Sequence, residues 1–192
     1  MAKNADDMGS RLQRAALDLF REQGYDRTTA AGIAARAGVT ERTFFRYFAD
    51  KREVLFGGEA VLRSALLRAI AEAPEQLGPL DTLFRSFQSV GSLLENNRPF
   101  SVPRQEIISA TPALQEREQA KLAALADALA VALKARGATE LQSVLAARTG
   151  MAAFAMATVA WLEHPQPGLA DRLDLILLEL KTMFAAVSPA DE

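Results

Sequence analysis

A group of basic, hydroxyl and aromatic side chains near residue 45 carries the most distinctive chemistry of this 192-residue chain. The outward positions of one short predicted helix are occupied by Arg42, Thr43, Phe45, Arg46 and Tyr47. Arginine can form bidentate hydrogen bonds with guanine or pair with phosphate, and Thr and Phe can contact thymine methyl groups. Lys51 and Arg52 follow, and with the positive N-terminus of the next predicted helix they could hold a backbone phosphate. These residue types suit DNA binding.

Other kinds of chemistry are poorly represented. The chain has no cysteine and a single histidine, His164. This excludes thiolate metal sites, cysteine nucleophiles and a multi-histidine metal site, so no metal and no cofactor are expected. Common phosphate-loop, nucleophile-elbow and zinc-protease motifs are absent, which weighs against an enzyme. An all-helical adaptor that binds protein rather than DNA is a further alternative.

The charges are unevenly distributed. The chain carries 22 basic and 24 acidic residues, a net charge of −2 that by itself argues against a polyanionic partner. Residues 27–52, however, contain six basic and two acidic residues, a net +4. The sequence therefore predicts a small basic N-terminal part and a larger acidic remainder.

Short helices are predicted over the first 56 residues. Ser10 and Gln13 have capping-box spacing, so a first helix is expected from Ser10 to Gln23, ending at Gly24. Thr28 or Thr29 could cap a second helix that ends at Gly38. A third helix is expected over 41–48, capped by Thr40, and Asp50 should open a fourth that runs to about residue 72.

Longer helices are predicted beyond this part. They are expected over about 80–95, 112–137, 140–163 and 169–187, the third opened by a Thr139–Gln142 capping box. The stretch up to residue 110, with Pro99 and Pro103, is expected to be irregular or to carry one short helix. No alternating strand pattern is present, which predicts an all-α fold.

Two short helices around Gly38 form the pattern of a helix-turn-helix unit, in which the second helix enters the DNA major groove. The run from Thr28 to Leu55, TTAAGIAARAGVTERTFFRYFADKREVL, resembles the DNA-binding segment of the tetracycline-repressor (TetR) family, as does AALDLFREQGY at residues 15–25. The resemblance covers about residues 10–56. The remainder matches only in length, helicity and helix order.

The resemblance implies a homodimeric transcription regulator, usually a repressor, that leaves its operator when a small molecule binds. It implies a phosphate contact by Lys51 and DNA contacts by Thr40, Arg42, Thr43, Phe45, Arg46 and Tyr47. Thr29 is a further predicted DNA-binding residue. Arg42 stands where many members have Gly, and Phe45 where many have Tyr. The first difference adds a base- or phosphate-contacting side chain, and the second removes a hydroxyl.

The predicted organisation is a three-helix helix-turn-helix head over residues 1–56 and a helical ligand-binding and dimerisation domain over 57–192. Apolar residues on most sides of the last two helices favour a homodimer built on a four-helix bundle. Candidate ligand-pocket residues are Phe84, Phe87, Gln88, Phe100, Arg104, Met151 and Phe154, with Met156 and Arg148 as further candidates. Each could instead be an ordinary core or surface residue.

Two further expectations concern flexibility and location. Gly57 and Gly58 lie inside the predicted fourth helix, where each costs about 1 kcal/mol relative to alanine. They could mark a bending point between the two domains, or a local irregularity or close helix packing. The N-terminus lacks a secretion signal and the longest uncharged apolar stretch, residues 150–162, is short for a membrane span, so a cytoplasmic protein is expected.

Overall fold

The computed structural model describes residues 2–185, and side chains from residue 8 to residue 183. The described part is helical and contains no strand, which confirms the all-α prediction. Its helices are α1 (Ala2–Gln23), α2 (Ala30–Arg36), α3 (Glu41–Tyr47), a 3-10 turn (Glu53–Phe56), α4 (Glu59–Ala71), α5 (Pro79–Ser89), α6 (Gly91–Ser109), α7 (Pro112–Ala135), α8 (Glu140–Glu163) and α9 (Leu169–Ala185).

Two compact units make up the chain. Unit 1 comprises Met1–Val61 and Pro99–Glu118, and unit 2 comprises Leu62–Arg98 and Gln119–Glu192. Unit 1 therefore contains all of the predicted head and, in addition, the second half of α6 and the start of α7. The predicted domain boundary between residues 56 and 57 stays a prediction.

One hydrophobic core holds unit 1 together. The apolar stripe of α1 packs against apolar side chains of α2, α3 and the 3-10 turn. Ile108 and Leu114 from the second segment belong to the same cluster. Its fully buried members include Leu12, Ala16, Ile33, Phe44 and Val54. Each large apolar side chain removed from water contributes about 1.5–3 kcal/mol, so the second segment stabilises this unit directly.

Threonine caps begin three helices as the sequence predicts. The Thr29 hydroxyl accepts a hydrogen bond from the Gly32 amide and so caps α2. Thr40 caps α3, and Thr139 and Gln142 form the expected capping box at α8. These side chains satisfy amide groups that have no partner inside the helix.

The first and fourth helices differ from the predictions. Helix α1 already begins at Ala2, so Ser10 lies inside it and the predicted Ser10–Gln13 capping box is wrong. Asp50 does accept hydrogen bonds from the amides of Arg52 and Glu53, but it opens a four-residue 3-10 turn rather than a long helix. The chain re-enters an α-helix only at Glu59, beyond Gly57 and Gly58.

The expected irregular stretch before residue 110 is also wrong. Helix α5 ends at Ser89, and α6 continues through both Pro99 and Pro103. Each proline removes one amide donor from the helix. Beyond them, Ile108 is 1% exposed and Phe100 and Ile107 pack on the core of unit 1. This burial stabilises the helix although two amide donors are missing from it.

Helices α5, α8 and α9 form the centre of unit 2. Gly150 in α8 faces Leu83 and Phe87 of α5. By length and composition α8 could also cross a membrane, with a mean hydropathy of 1.4, but 44% of that stretch is buried inside the protein, as in the core helix of a globular unit. The predicted end of the last helix at Val187 and the side chain of Phe184 lie outside the described residues.

Candidate nucleic-acid interface

A tight turn joins α2 to α3. Gly38 adopts a φ of +68°, a conformation that side chains other than glycine rarely take. The amide of Val39 donates to the carbonyl of Ala34 at 2.9 Å, which closes the turn. The Arg11 guanidinium of α1 donates to the Ala37 carbonyl at 2.6 Å and so caps the C-terminus of α2. No local sequence pattern indicates this role of Arg11, because its partner lies 26 residues away.

Helix α3 buries one side and exposes the other. Phe44 is fully buried and its ring packs against Phe48 at a centroid distance of 5.7 Å. Phe45 is 51% exposed, and Arg42 and Arg46 on the same helix are also exposed. The α3 reading face, defined as Arg42, Phe45 and Arg46, thus presents two guanidinium groups and one apolar ring to solvent.

The remaining predicted contacts of α3 are partly engaged within the protein. The Thr40 hydroxyl accepts from the Thr43 amide at 3.2 Å and lies 3.1 Å from the Thr43 hydroxyl. Tyr47 is half-buried, and the Arg46 guanidinium lies 5.2 Å from the centre of its ring. Thr29 and Thr40 are exposed at the beginnings of α2 and α3. All of the predicted DNA-contacting residues lie in unit 1.

Lys51 contacts the loop between α1 and α2, and its predicted phosphate contact stays a prediction. Its ammonium donates to the carbonyl oxygens of Tyr25 at 2.9 Å, Thr28 at 3.1 Å and Asp26 at 3.4 Å. The same ammonium lies 4.1 Å from the centre of the Tyr25 ring. Burial raises the pKa of the Tyr25 hydroxyl.

Arg52 pairs with Asp50 rather than projecting freely. Its guanidinium donates twice to one Asp50 oxygen, at 2.7 and 3.0 Å. The hydrogen bond from Arg52 lowers the pKa of the Asp50 carboxyl, and the two backbone amides that the carboxyl accepts add to this effect. A second exposed pair joins Arg36 of α2 to Glu22 of α1.

The candidate ligand residues fall in both units. Phe84, Phe87, Met151 and Phe154 are buried in unit 2, where the rings of Phe87 and Phe154 stack at 4.5 Å. Gln88 is exposed on the same unit and donates to Asp174. The further candidates Arg148 and Met156 are exposed, and Arg148 pairs with Asp127.

Phe100 and Arg104 belong to unit 1. Phe100 packs on its hydrophobic core. Arg104 donates to the Leu55 carbonyl at 2.7 Å, pairs with Glu118 at 3.1 Å and lies 4.9 Å from the Phe56 ring centre. Burial lowers the pKa of the Arg104 guanidinium. Arg104 thus connects α6 to the 3-10 turn and to Glu118 of α7.

Unit 2 also contains an open cleft that the sequence did not indicate. Its volume is about 200 Å³, and its lining includes Thr82, Leu133, Arg136 and Gln142. Ligand pockets commonly measure about 300–1,000 Å³, so the cleft is small for a drug-sized molecule. Within the described residues, no group of acidic or histidine side chains is arranged to hold a metal ion.

An all-helical chain whose exposed basic helix follows a glycine turn has the architecture of a helix-turn-helix protein. Residues 12–56 match the family model of bacterial regulatory proteins of the tetR family, and residues 77–185 match the MftR C-terminal domain. The chain belongs to the TetR family of bacterial regulatory proteins.

Several relatives agree with this membership. The HTH-type transcriptional regulator TcmR of Streptomyces glaucescens is 40% identical over 79 residues, which are 41% of this chain and 35% of TcmR. The match therefore spans only about a third of that relative. FadR of Thermus thermophilus, a TetR-family repressor solved with lauroyl-CoA, is 27% identical with a TM-score of 0.55, covering 96% of this chain and 99% of FadR.

A regulator from Syntrophomonas wolfei supports the fold alone. It is 17% identical with a TM-score of 0.64, covering 97% of this chain and 100% of that protein.

Proposed function

We propose that the protein is a ligand-responsive transcriptional repressor that binds a palindromic DNA operator and is released from it by a small molecule. The observation that carries this proposal is the α3 reading face, where Arg42 and Arg46 flank the exposed Phe45 on a helix held by a threonine cap and a glycine turn. Each arginine can read guanine in the major groove, and the ring can pack on a thymine methyl group. The protein acts as a regulator and not as an enzyme.

Selection of bound sequences from a random duplex pool tests the proposal. We expect a palindrome whose half-sites lie about one helical turn or more apart. Failure to enrich any sequence at low salt would contradict DNA reading. The double variant Arg42→Ala plus Arg46→Ala should bind the selected duplex at least tenfold more weakly, because each lost base contact costs about 1–3 kcal/mol.

A matched control has the same change in charge. Arg63 and Arg68 are exposed on α4, so Arg63→Ala plus Arg68→Ala removes two positive charges without touching the reading face. It should bind the selected duplex with nearly wild-type affinity. Equal weakening by the two double variants would mean that charge alone, and not the reading face, drives binding.

The partner in this proposal is a second copy of the chain, bound through α8 and α9. Large apolar side chains remain exposed on both helices of the isolated chain: Leu141, Leu145 and Met156 on α8, and Leu175 and Leu178 on α9, each more than half exposed. Exposed apolar patches of this kind mark interaction surfaces. Pairing two copies of α8 and α9 in a four-helix bundle would bury them.

The effector is proposed to bind in unit 2 beside Phe84, Phe87, Gln88, Met151 and Phe154. The rings are fully or nearly fully buried and in contact, so a ligand would have to displace the Phe87–Phe154 stack. Their aromatic surface favours an apolar or mixed ligand, and the lauroyl-CoA held by FadR gives one example of such a molecule in a relative. Phe100 and Arg104, which lie in unit 1, stay predicted ligand contacts. The proposed location of the protein is the cytoplasm.

A further inference from the structure

An acidic side chain borders the α3 reading face. Glu41, the first residue of α3, is exposed and lies four residues before Phe45. Side chains at positions i and i+4 of a helix are neighbours, so the Glu41 carboxylate lies on the same side of α3 as the exposed Phe45 ring. A carboxylate at this place repels the phosphates of a duplex, so its presence on a DNA-binding surface needs a reason.

Glu41 is unpaired within the part of the chain that the structure describes. Residues 27–52 contain two acidic residues, Glu41 and Asp50. Asp50 pairs with Arg52 and accepts two backbone amides. Glu41 makes neither a hydrogen bond nor an ion pair with any described residue, and both residues that lie three and four positions further along α3 are phenylalanine. Its charge is therefore available to an external donor.

The alternative role of Glu41 concerns the stability of α3. An acidic residue in the first turn of a helix interacts favourably with the helix dipole. Thr40 already caps α3 by accepting a hydrogen bond from the Thr43 amide. A dipole interaction alone predicts that replacing Glu41 changes stability and leaves the bases that the protein selects unchanged.

The four bases present different groups to a carboxylate in the major groove. A carboxylate can only accept hydrogen bonds. Cytosine presents one amino donor there, whereas guanine presents two acceptors, thymine an acceptor and a methyl group, and adenine a donor beside an acceptor. Cytosine is therefore the base that fits Glu41. The neighbouring Arg42, which can only donate, fits guanine instead.

We propose that Glu41 is a specificity-determining residue whose carboxylate accepts a hydrogen bond from the N4 amino group of one cytosine in each operator half-site. The proposal rests on the DNA-binding function proposed above. Successive residues of an α-helix point about 100° apart, so Glu41 and Arg42 address different base pairs. Where the cytosine is missing, the carboxylate has no donor to offset its repulsion from phosphate, and binding to wrong sequences is weakened.

Selection from the random duplex pool, repeated with Glu41→Gln and Glu41→Ala, tests the proposal. A glutamine side chain both donates and accepts, which suits N6 and N7 of adenine. We expect Glu41→Gln to select adenine where the wild type selects this cytosine, and Glu41→Ala to select no base there. In competition binding, the preference for cytosine at this position should fall about fivefold or more in both variants.

A second readout is binding to a duplex that lacks the operator. Both Glu41 variants should bind it more tightly than the wild type does at low salt, because one negative charge has been removed beside the phosphates. Thermal unfolding of the free, full-length variants verifies that they are folded.

Glu140→Gln is the matched control. Glu140 is the exposed first residue of α8, a helix that also begins after a threonine cap, and it lies in unit 2, where it pairs with Lys134. The substitution removes a negative charge from the same helical position. It should leave the selected bases and the binding to other duplexes unchanged.

The proposal is overturned if the wild type and both Glu41 variants select the same bases at every position, or if the base that changes is not cytosine. The first outcome would assign Glu41 to the stability of α3 alone. A wild-type protein that selects no sequence would refute the proposed function, and this inference with it. The two failures are therefore distinguishable.

Discussion

Gly150 allows α8 to lie directly against α5 in unit 2. A Cβ atom at this position would collide with Leu83 Cδ2 and lie 3.2 Å from Leu83 Cγ and 3.4 Å from Phe87 Cε2. Both neighbours are fully buried, so neither can move without disturbing the core.

We therefore expect Gly150→Ala to destabilise the protein by about 1–3 kcal/mol, the usual cost of overpacking a core. Denaturant unfolding measures the change. Gly91→Ala is the matched control, because nothing lies within 4 Å of a Cβ added at Gly91. It should be neutral or slightly stabilising, and a Gly150→Ala variant as stable as this control would contradict the close packing.

Asp50 gives unit 1 a pH-dependent contribution. Its carboxyl accepts from the amides of Arg52 and Glu53, and its pKa lies below the usual 3.8 mainly because Arg52 donates to it. The unfolded chain thus takes up the proton at a higher pH than the folded chain does. The stabilisation is complete above about pH 5 and is lost as the pH falls through the lowered pKa.

Asp50→Ala should cost about 1 kcal/mol at neutral pH, as for other lost caps. Unfolding experiments from pH 7 down to pH 3 measure how the difference from the wild type changes. It should shrink as the pH falls below 4. A difference that stays constant over this range would show that the ionised carboxylate is not responsible.

The sequence is least informative about arginine side chains that donate hydrogen bonds to backbone carbonyls. Arg104 is a candidate ligand-pocket residue, and in the structure it donates to the Leu55 carbonyl. Arg11 had no predicted role, and it caps α2. A long cation can bind an external anion or a distant carbonyl of its own chain. The sequence does not distinguish these uses, because the second depends on contacts between residues far apart in the chain.

At the scale of elements, the two adjacent glycines, Gly57 and Gly58, have different surroundings. A Cβ at Gly57 would lie 2.8 Å from Gln13 Nε2 and 3.1 Å from Phe48 Cε1, whereas nothing lies within 4 Å of one at Gly58. The φ and ψ of Gly57, −62° and −19°, are open to any residue. Close packing therefore accounts for Gly57, and the bending point stays a prediction.

Gly57→Ala should lower the free energy of unfolding by about 1 kcal/mol, because Phe48 is buried and the Gln13 side chain must move. Gly58→Ala should leave it unchanged or raise it slightly. Denaturant unfolding of the two single variants checks both values. If Gly58→Ala keeps its stability but loses its response to the effector, the bending-point hypothesis gains support.

Helix starts were predictable where one side chain determines them. Thr29, Thr40 and Thr139 each satisfy a nearby amide, an interaction contained within four residues of sequence. The path of α6 was not predictable in this way. Pro99 and Pro103 are local helix breakers, whereas Ile108 of the same helix packs in the core of unit 1 against residues far away in the sequence, a contact that no local pattern indicates.

At the scale of the whole molecule, the apolar faces of α8 and α9 predict the oligomeric state. Leu145 is 57% exposed and Leu178 60% exposed in the single chain. The double variant Leu145→Glu plus Leu178→Glu should shift a dimer to monomers, because the bundle cannot bury two charges per copy. Sedimentation velocity at micromolar concentration measures this.

Val61→Glu is the control for the dimer. Val61 is 59% exposed on α4, and the substitution should leave the dimer intact. A wild-type protein that sediments as a monomer would contradict the interface, and so would a double variant that remains dimeric.

The two-segment composition of unit 1 has a consequence for biosynthesis. The nascent chain produces Met1–Val61 first, and about 40 further residues must be added before Pro99–Glu118 can contribute Ile108 and Leu114. The core of unit 1 therefore becomes complete only after the ribosome has translated more than half of the chain. The same division matters for chimeras. If only the first 56 codons are exchanged, Arg104 and Arg117 must bond to residues of the other protein in place of Leu55 and Glu53. Exchange of DNA specificity between relatives should succeed best when both segments are transplanted together.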